Sequence, residues 1–228
     1  MNQIDFSTYK FRPSQMDALM KSPRSKTETI SATAKEYLNK IWVTEMTGRT
    51  EDRIVTRPME KGIICESDSL DLVQKATGQV YFKNQQKISN EFIEGTPDVV
   101  SPLLDIKTSY SIFSYAKVDY DYAVSTYKYQ LLSYMWLTGQ KTGDLIFCLT
   151  NSTEEMIAEE MERNRFKNPE IMESDEATEE FRKNFIFNDI PLDQRIKRFT
   201  VEYSEEEIEL MKEKISACRT WLINKSRL

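Results

Sequence analysis

Gly95 to Ser109 reads GTPDVVSPLLDIKTS. Two β-type runs, Asp98-Val99-Val100 and Leu103-Leu104-Asp105-Ile106-Lys107, flank Ser101-Pro102, a pair that favours a turn. With that pair as the turn of a hairpin, Val100 faces Leu103, Val99 faces Leu104 and Asp98 faces Asp105. Side chains alternate along a strand, so Lys107 shares the face of Asp105. Directly opposed residues have Cβ atoms about 4.5–5.5 Å apart, and like charges so placed repel. Two acids on an apolar hairpin therefore call for a cation. A hard divalent ion such as Mg²⁺, taken by carboxylate oxygens and water, is the natural candidate. An exposed hairpin end with solvated Asp and Lys fits the same local pattern.

Composition narrows the chemistry further. The 228 residues are 39% hydrophobic and 30% charged, as in ordinary globular proteins, and suffice for one well-cored α/β domain. No apolar run reaches about 18 residues, so no membrane span is expected, and MNQIDFSTYKF lacks the pattern of a signal peptide. Cys65, Cys148 and Cys218 are few, odd in number and widely spaced, which suits a reducing cytoplasm. The chain has no histidine. Ser-His-Asp chemistry, Cys-His chemistry and histidine metal sites are thereby excluded. Acid–base or metal chemistry falls to Asp, Glu, Lys, Tyr and bound ions. The net charge of −6 is unevenly spread: residues 1–57 hold 10 Lys+Arg against 7 Asp+Glu, and residues 151–180 hold 3 against 11. A nucleic-acid partner needs only a local basic surface, so the overall sign excludes little.

Around the hairpin, the elements read in order. PSQMDALMKS is a short helix with Pro13 near its start, followed by the polar basic loop SPRSKTE. Residues 31–47 place Ala34, Tyr37, Leu38, Ile41 and Trp42 at helical spacing, closed by Gly48. Residues 58–77 read as one helix closed by Gly78, in which Ile63, Glu66, Leu70 and Val73 form a stripe. A carboxylate inside such a stripe costs free energy unless paired or metal-bound; a Glu at the edge of the stripe, salt-bridged or snorkelling, is the plainer alternative. Residues 79–94 alternate as one or two strands. TSYSIFSYAKVDYDYAVSTY lacks helical periodicity and reads as a loop bordering a site. A helix then runs from Lys128 to Gly139, with Gln130 and Tyr134 on one face. Leu145 to Leu149 is an internal strand. Beyond it come an acidic helical segment at 153–185, broken at Pro169, an edge strand at 200–203 and a helix opening at Ser204. The acidic run reads first as a solvated face.

Pro97-Asp98 followed by Asp105-Ile106-Lys107 resembles the PD-(D/E)xK signature of the restriction-endonuclease-like nuclease superfamily. The order of elements resembles its RecB-like branch, and most closely the lambda-type phage exonucleases and the related YqaJ-like viral recombinase nucleases. Gly62-Ile63-Ile64-Cys65-Glu66 matches that group's G-x-x-x-E helix, and Gln130-Leu131-Leu132-Ser133-Tyr134 its Q-x-x-x-Y helix. The likeness covers roughly residues 10–150, and the tail lies outside it. Only six residues separate Asp98 from Asp105, which is tight for the signature.

The resemblance implies a single domain at 1–228 of mixed α/β (α+β) class, a central mixed β-sheet flanked by helices. Its core would span about 10–150, with an acidic elaboration at 151–200 and a C-terminal strand and helix. It further implies a Mg²⁺-dependent deoxyribonuclease, Mn²⁺ substituting, that resects linear duplex DNA ends for recombination. Glu66, Asp98, Asp105 and the Ile106 carbonyl would hold the metal. Lys107 would orient the attacking water and offset developing charge, and Gln130 would position the lysine, a water or the phosphate. A ring-shaped homo-oligomer, commonly a trimer, a single-strand annealing protein as partner, and a phage or prophage setting in the bacterial cytoplasm come with it. A site- or structure-specific endonuclease shares every one of these residues. A non-catalytic DNA-binding module and an unrelated hydrolase of small phosphates are the remaining alternatives.

Overall fold

The computed structural model describes residues 4–52 and 54–225. Its sheet is organised around β4 (Thr142–Cys148), whose residues are buried from Gly143 onward, so that both faces of the strand must be covered. β3 (Leu104–Thr108) pairs parallel on one side, with Asp105 beside Leu145 and Lys107 beside Phe147. β5 (Ile196–Glu202) pairs antiparallel on the other, with Phe199 beside Leu145. The order is β3-β4-β5, a mixed sheet as expected, with β3 at one margin. Parallel neighbours need a crossover. Here it consists of α5 (Ile112–Ala116) and α6 (Tyr120–Thr138).

Alternation along the strands sorts the side chains into two layers. Leu145 and Phe147 face the larger apolar cluster, with α6, α1 (Met16–Met20), α2 (Ala32–Thr47) and α10 (Glu205–Asn224). Phe6 and Leu222 belong to that same cluster, so early and late described segments pack together in it. Leu104, Ile146 and Cys148 face the other way, against Leu72 and Val73 of α4 (Glu66–Thr77). Each fully buried aliphatic or aromatic side chain here contributes about 1.5–3 kcal/mol by leaving water. Ser31 caps α2 by accepting the Ala34 N–H at 3.1 Å. Gly48 then ends the helix at φ 68°, where a Cβ would be strained.

Three expectations change. Residues 58–77 do not form one helix: α3 (Arg57–Ile64) and α4 are separated at Cys65, with φ −96° and ψ 17°. Their buried stripe is Lys61, Cys65, Ser69, Leu72 and Val73, while Ile63 and Ile64 are 59% and 46% exposed. The Lys61 stem fills a core position that an apolar residue would otherwise take, and its ammonium donates to the Tyr110 carbonyl at 3.1 Å. The stretch after Lys107 is not a loop. Ser111 caps α5, and Asp119 caps α6 by accepting the Tyr122 N–H at 2.8 Å. The exposed Tyr120 and Tyr122 had obscured the helical period. Residues 79–94 yield only the two-residue strands β1 (Ile88–Ser89) and β2 (Glu94–Gly95), paired antiparallel.

The acidic segment is α7 (Glu154–Asn164), α8 (Glu170–Glu173) and α9 (Asp175–Arg182). Arg57 ties it to α3, reaching Glu159 at 2.7 Å and Glu160 at 3.2 Å. Among the described residues, no helix is long and apolar enough to cross a membrane.

Candidate active site

β3 carries Asp105 and Lys107 on the α6 face, as alternation requires. The turn before it brings Val99 opposite Leu104, the two exchanging backbone hydrogen bonds at 3.2 and 3.1 Å. The register expected from the sequence is therefore present. The first arm, however, makes only this single bridge and forms no strand. Asp98 lies one residue before it, and its Oδ2 accepts the Ile106 N–H at 2.7 Å.

Asp105 is 2% exposed and its Oδ1 takes two donors, the Lys107 ammonium at 3.1 Å and the Gln130 amide at 3.2 Å. Its Oδ2 lies 2.9 Å from the same ammonium, but without hydrogen-bond alignment, so this buried oxygen has no hydrogen-bonding partner. Lys107 also rests over the Tyr127 ring, 4.8 Å from its centroid. Gln130 reaches the pair from α6, and Asp17 from α1 accepts the main-chain N–H groups of Tyr129 and Gln130, each at 3.1 Å.

The electrostatics are those of crowded acids. Burial, then the charge of Asp105, pushes the Asp98 carboxyl up to about 7, and Glu66 adds to the repulsion. Burial works against the Lys107 ammonium, yet the ion pair and hydrogen bond with Asp105, together with Asp98 and Tyr127, outweigh it and raise its pKa. Lys107 is thus held as a cation. Glu66 opens α4 and stands close enough for its charge to be felt at Asp98, but it points to Lys83, with an ion pair of 2.9 Å. Both partners are about half-exposed, at 43% and 44%. Among the described residues, no three acidic or cysteine side chains already converge as a metal cage.

Asp98, Asp105, Ile106, Lys107 and Gln130 are therefore brought together, and Glu66 stands beside them with a different partner. Between Thr96 and Tyr134 opens a cavity of about 270 Å³, lined also by Arg12, Ser14, Lys87 and Glu94. Gly95 permits this approach: a Cβ there would lie 2.7 Å from Pro13 Cγ and 3.2 Å from Tyr134 Cε1. Three residues escaped the sequence reading. Asp17 could have been noticed as an acid between Met16 and Leu19 of an apolar helix. Lys61, wholly buried, holds the segment leaving β3, as does Ser69 through a 2.7 Å hydroxyl pair with Thr108; neither carried a signal.

No family model matches the chain, and no curated protein does. Solved structures do. A phage-related exonuclease from Haemophilus somnus 129PT shares 21% identity at a TM-score of 0.74, over 94% of each chain. An alkaline exonuclease from Laribacter hongkongensis shares 14% identity at a TM-score of 0.60, over 95% of this chain and 89% of that one. The same enzyme in complex with dAMP gives a TM-score of 0.58 at 15% identity, over 94% and 88% of the two chains. What the chain has in common with them is the fold along nearly its whole length.

Proposed function

We propose that this chain is a metal-dependent deoxyribonuclease, an exonuclease of the phage type that hydrolyses linear duplex DNA from its ends. The observation that carries the reading is the convergence of Asp98, Asp105 and Lys107 about Ile106: Asp98 accepts the Ile106 N–H at 2.7 Å, Lys107 pairs with the buried Asp105 at 2.9 Å, and burial, then the Asp105 charge, pushes the Asp98 carboxyl up. Two mutually repelling acids, one of them buried with an oxygen held only by the Lys107 ion pair, fit a hard divalent cation, Mg²⁺ before Mn²⁺. Asp98, Asp105 and the Ile106 carbonyl would hold it, with Glu66 joining on leaving Lys83. The Glu66–Lys83 pair is half-exposed, and such pairs contribute only about 0–1 kcal/mol. A bound divalent cation supplies charge neutralisation at the scissile phosphate and acidifies an attacking water.

The chain's own groups do the rest. Lys107 stays protonated, so it serves as a charge and hydrogen-bond donor and not as a base; it orients the water and offsets negative charge on the phosphate. Gln130 fixes the Asp105 carboxylate from the α6 side. Arg12 on the nearby cavity supplies a cation for the DNA backbone, and Lys87 another on leaving Glu94, its ion-pair partner at 2.8 Å. The exonuclease fold shared with both neighbours supports end-directed cleavage over endonucleolytic cutting.

The test is digestion of end-labelled linear duplex beside covalently closed circular DNA, with Mg²⁺ and with chelator. Loss of the linear form alone, only with metal, is expected. Cutting of the circle would make the chain an endonuclease, and inertness towards both would make it a binding module. A closed homo-oligomer, trimeric by the resemblance, belongs to the same reading. A solution mass of one chain, 26.8 kDa, at micromolar concentration would refute it. Cytoplasmic action in a phage-bearing host, beside a single-strand annealing protein, completes the proposal; Cys65, Cys148 and Cys218 are all free and buried.

A further inference from the structure

Asp17 makes a contact that α1 does not need for its own sake. Its two carboxylate oxygens separately accept the main-chain N–H groups of Tyr129 and Gln130, each at 3.1 Å. Both donors lie in the interior of α6, where an unbroken helix spends such groups on carbonyls four residues back. A carboxylate accepting from that ladder shares those donors with the helix carbonyls and fixes the turn from outside. α6 runs as one helix from Tyr120 to Thr138, and the turn that Asp17 engages is the one carrying Gln130, whose amide reaches Asp105 at 3.2 Å. Met16 and Leu19 already bury α1 against its surroundings, and a carboxylate at Asp17 adds a desolvation cost. That cost shows in the group itself, which burial pushes up to about 6, against the two N–H groups and the Lys107 charge that favour the ionised form.

We propose that Asp17 is a positioning residue of the active site, acting through the main chain of Tyr129 and Gln130 to set the reach of the Gln130 amide to Asp105. The proposal deepens the exonuclease reading and rests on it for its kinetic half. Asp17 touches neither the metal-binding acids nor the substrate; it shapes the helix from which Gln130 projects.

The closing experiment has two independent readouts. In the metal-free, DNA-free protein, the Tyr129 and Gln130 amide protons are expected well downfield of their helical neighbours in a ¹H–¹⁵N spectrum, as carboxylate-bonded amides are. Asp17→Asn, which keeps shape but offers one acceptor and confronts the second amide with a donor, should move at least one of them upfield. In cleavage of linear duplex, Asp17→Asn should lower kcat about tenfold, the scale of losing a supporting hydrogen bond at an active site, with KM nearly unchanged. In a Gln130→Ala background the same substitution should cost less than about twofold, because the two act on one element. Equal losses in both backgrounds, or ordinary helical amide shifts in the wild-type protein, overturn the proposal. If Asp17→Asn does not fold, Asp17→Ser takes its place in the cycle, and the wild-type amide shifts still decide the contact. If the wild-type protein cuts no DNA, the exonuclease reading falls, while the spectrum judges the Asp17 contact separately.

Discussion

Gln130 and Lys107 converge on the same oxygen of Asp105, at 3.2 and 3.1 Å, from α6 and from the strand that carries Asp105 itself. Two donors on Oδ1 lock the carboxylate plane and leave Oδ2 without a hydrogen bond. The acid is thereby oriented before any cation arrives. Its neighbours then differ in what each does for the folded chain, and substitutions should separate them.

Asp98→Asn and Asp105→Ala should both abolish cleavage, yet move stability in opposite directions. Asn at 98 keeps an acceptor for the Ile106 N–H while removing the repelling charge. Asp98 is raised to about 7 from 3.8, so between those pH values the folded chain holds more protons than the unfolded one. Stability of the metal-free protein therefore falls as pH rises through that window. Asp98→Asn should flatten most of the fall, Asp17 supplying a remainder of the same sign, and melt at least about 3 °C higher at pH 8, the response to roughly 1 kcal/mol. Asp105→Ala instead leaves the Lys107 cation buried and unpaired, a loss of about 3–5 kcal/mol. Thermal melts from pH 4 to 8 in chelator decide it; an Asp98→Asn protein with the wild-type slope counts against the proposed repulsion.

Glu66→Gln should reduce the cleavage rate by about 10²-fold or more, as loss of a well-placed electrostatic group does. Glu60→Gln should stay within about threefold of wild type, since Glu60 pairs with Arg57 at 2.6 Å, away from the acids, and surface substitutions there cost little. Lys83→Met should tighten Mn²⁺ binding by freeing Glu66. Calorimetric titration reads the last, and weaker binding in Lys83→Met would remove Glu66 from the metal set.

Lys61→Met should stabilise the protein at pH 7 and lose that advantage near pH 10. Burial pushes the Lys61 ammonium down to about 8 from 10.5, so below pH 8 the full cost of the buried charge is carried. Between those values the unfolded chain binds more protons, and wild-type stability rises with pH. The gain at pH 7 is reduced by about 1 kcal/mol for the hydrogen bond to Tyr110 that methionine cannot make. A Lys61→Met protein that melts below wild type at pH 7 would show the bond to outweigh the burial cost.

Two glycines of the site should respond oppositely. Gly95→Ala drives a methyl to 2.7 Å from Pro13 Cγ and should cost about 1–3 kcal/mol, shifting Thr96 to Asp98 and lowering cleavage with it. Gly62 lies inside α3 with nothing within 4 Å of a built Cβ, so Gly62→Ala should be neutral or add up to about 1 kcal/mol. A Gly62→Ala protein that is stable but slow would show that the space over α3 serves the substrate.

What the sequence disclosed was what adjacent residues decide among themselves. The register of Val99 with Leu104 follows from a two-residue turn, and the span of α2 from Ser31, Gly48 and one apolar stripe. Gln130 was legible because Tyr134 follows it at helical spacing and Gly139 closes the helix. The Glu66 stripe was misread because Lys61, scored as polar, is the residue that turns inward and carries Ile63 outward. Asp17 stands out in the sequence only as an acid between Met16 and Leu19; its role does not, since its partners are main-chain amides 112 and 113 positions away, and an amide has no letter in the sequence.

β3 lies at the margin of the sheet, where outward N–H groups are open to any passing strand. Leu104 spends its N–H on the Val99 carbonyl, and Ile106 spends its own on the Asp98 carboxylate. The acid offered to a metal is thus also a stopper on the border of the sheet. A strand carrying buried apolar residues is shielded along its border by the same group that the proposed function assigns to the metal. On the proposed function, Asp98→Ala should lose both the covered edge and cleavage, whereas Asp98→Asn, which keeps an acceptor for the Ile106 N–H, should lose only cleavage.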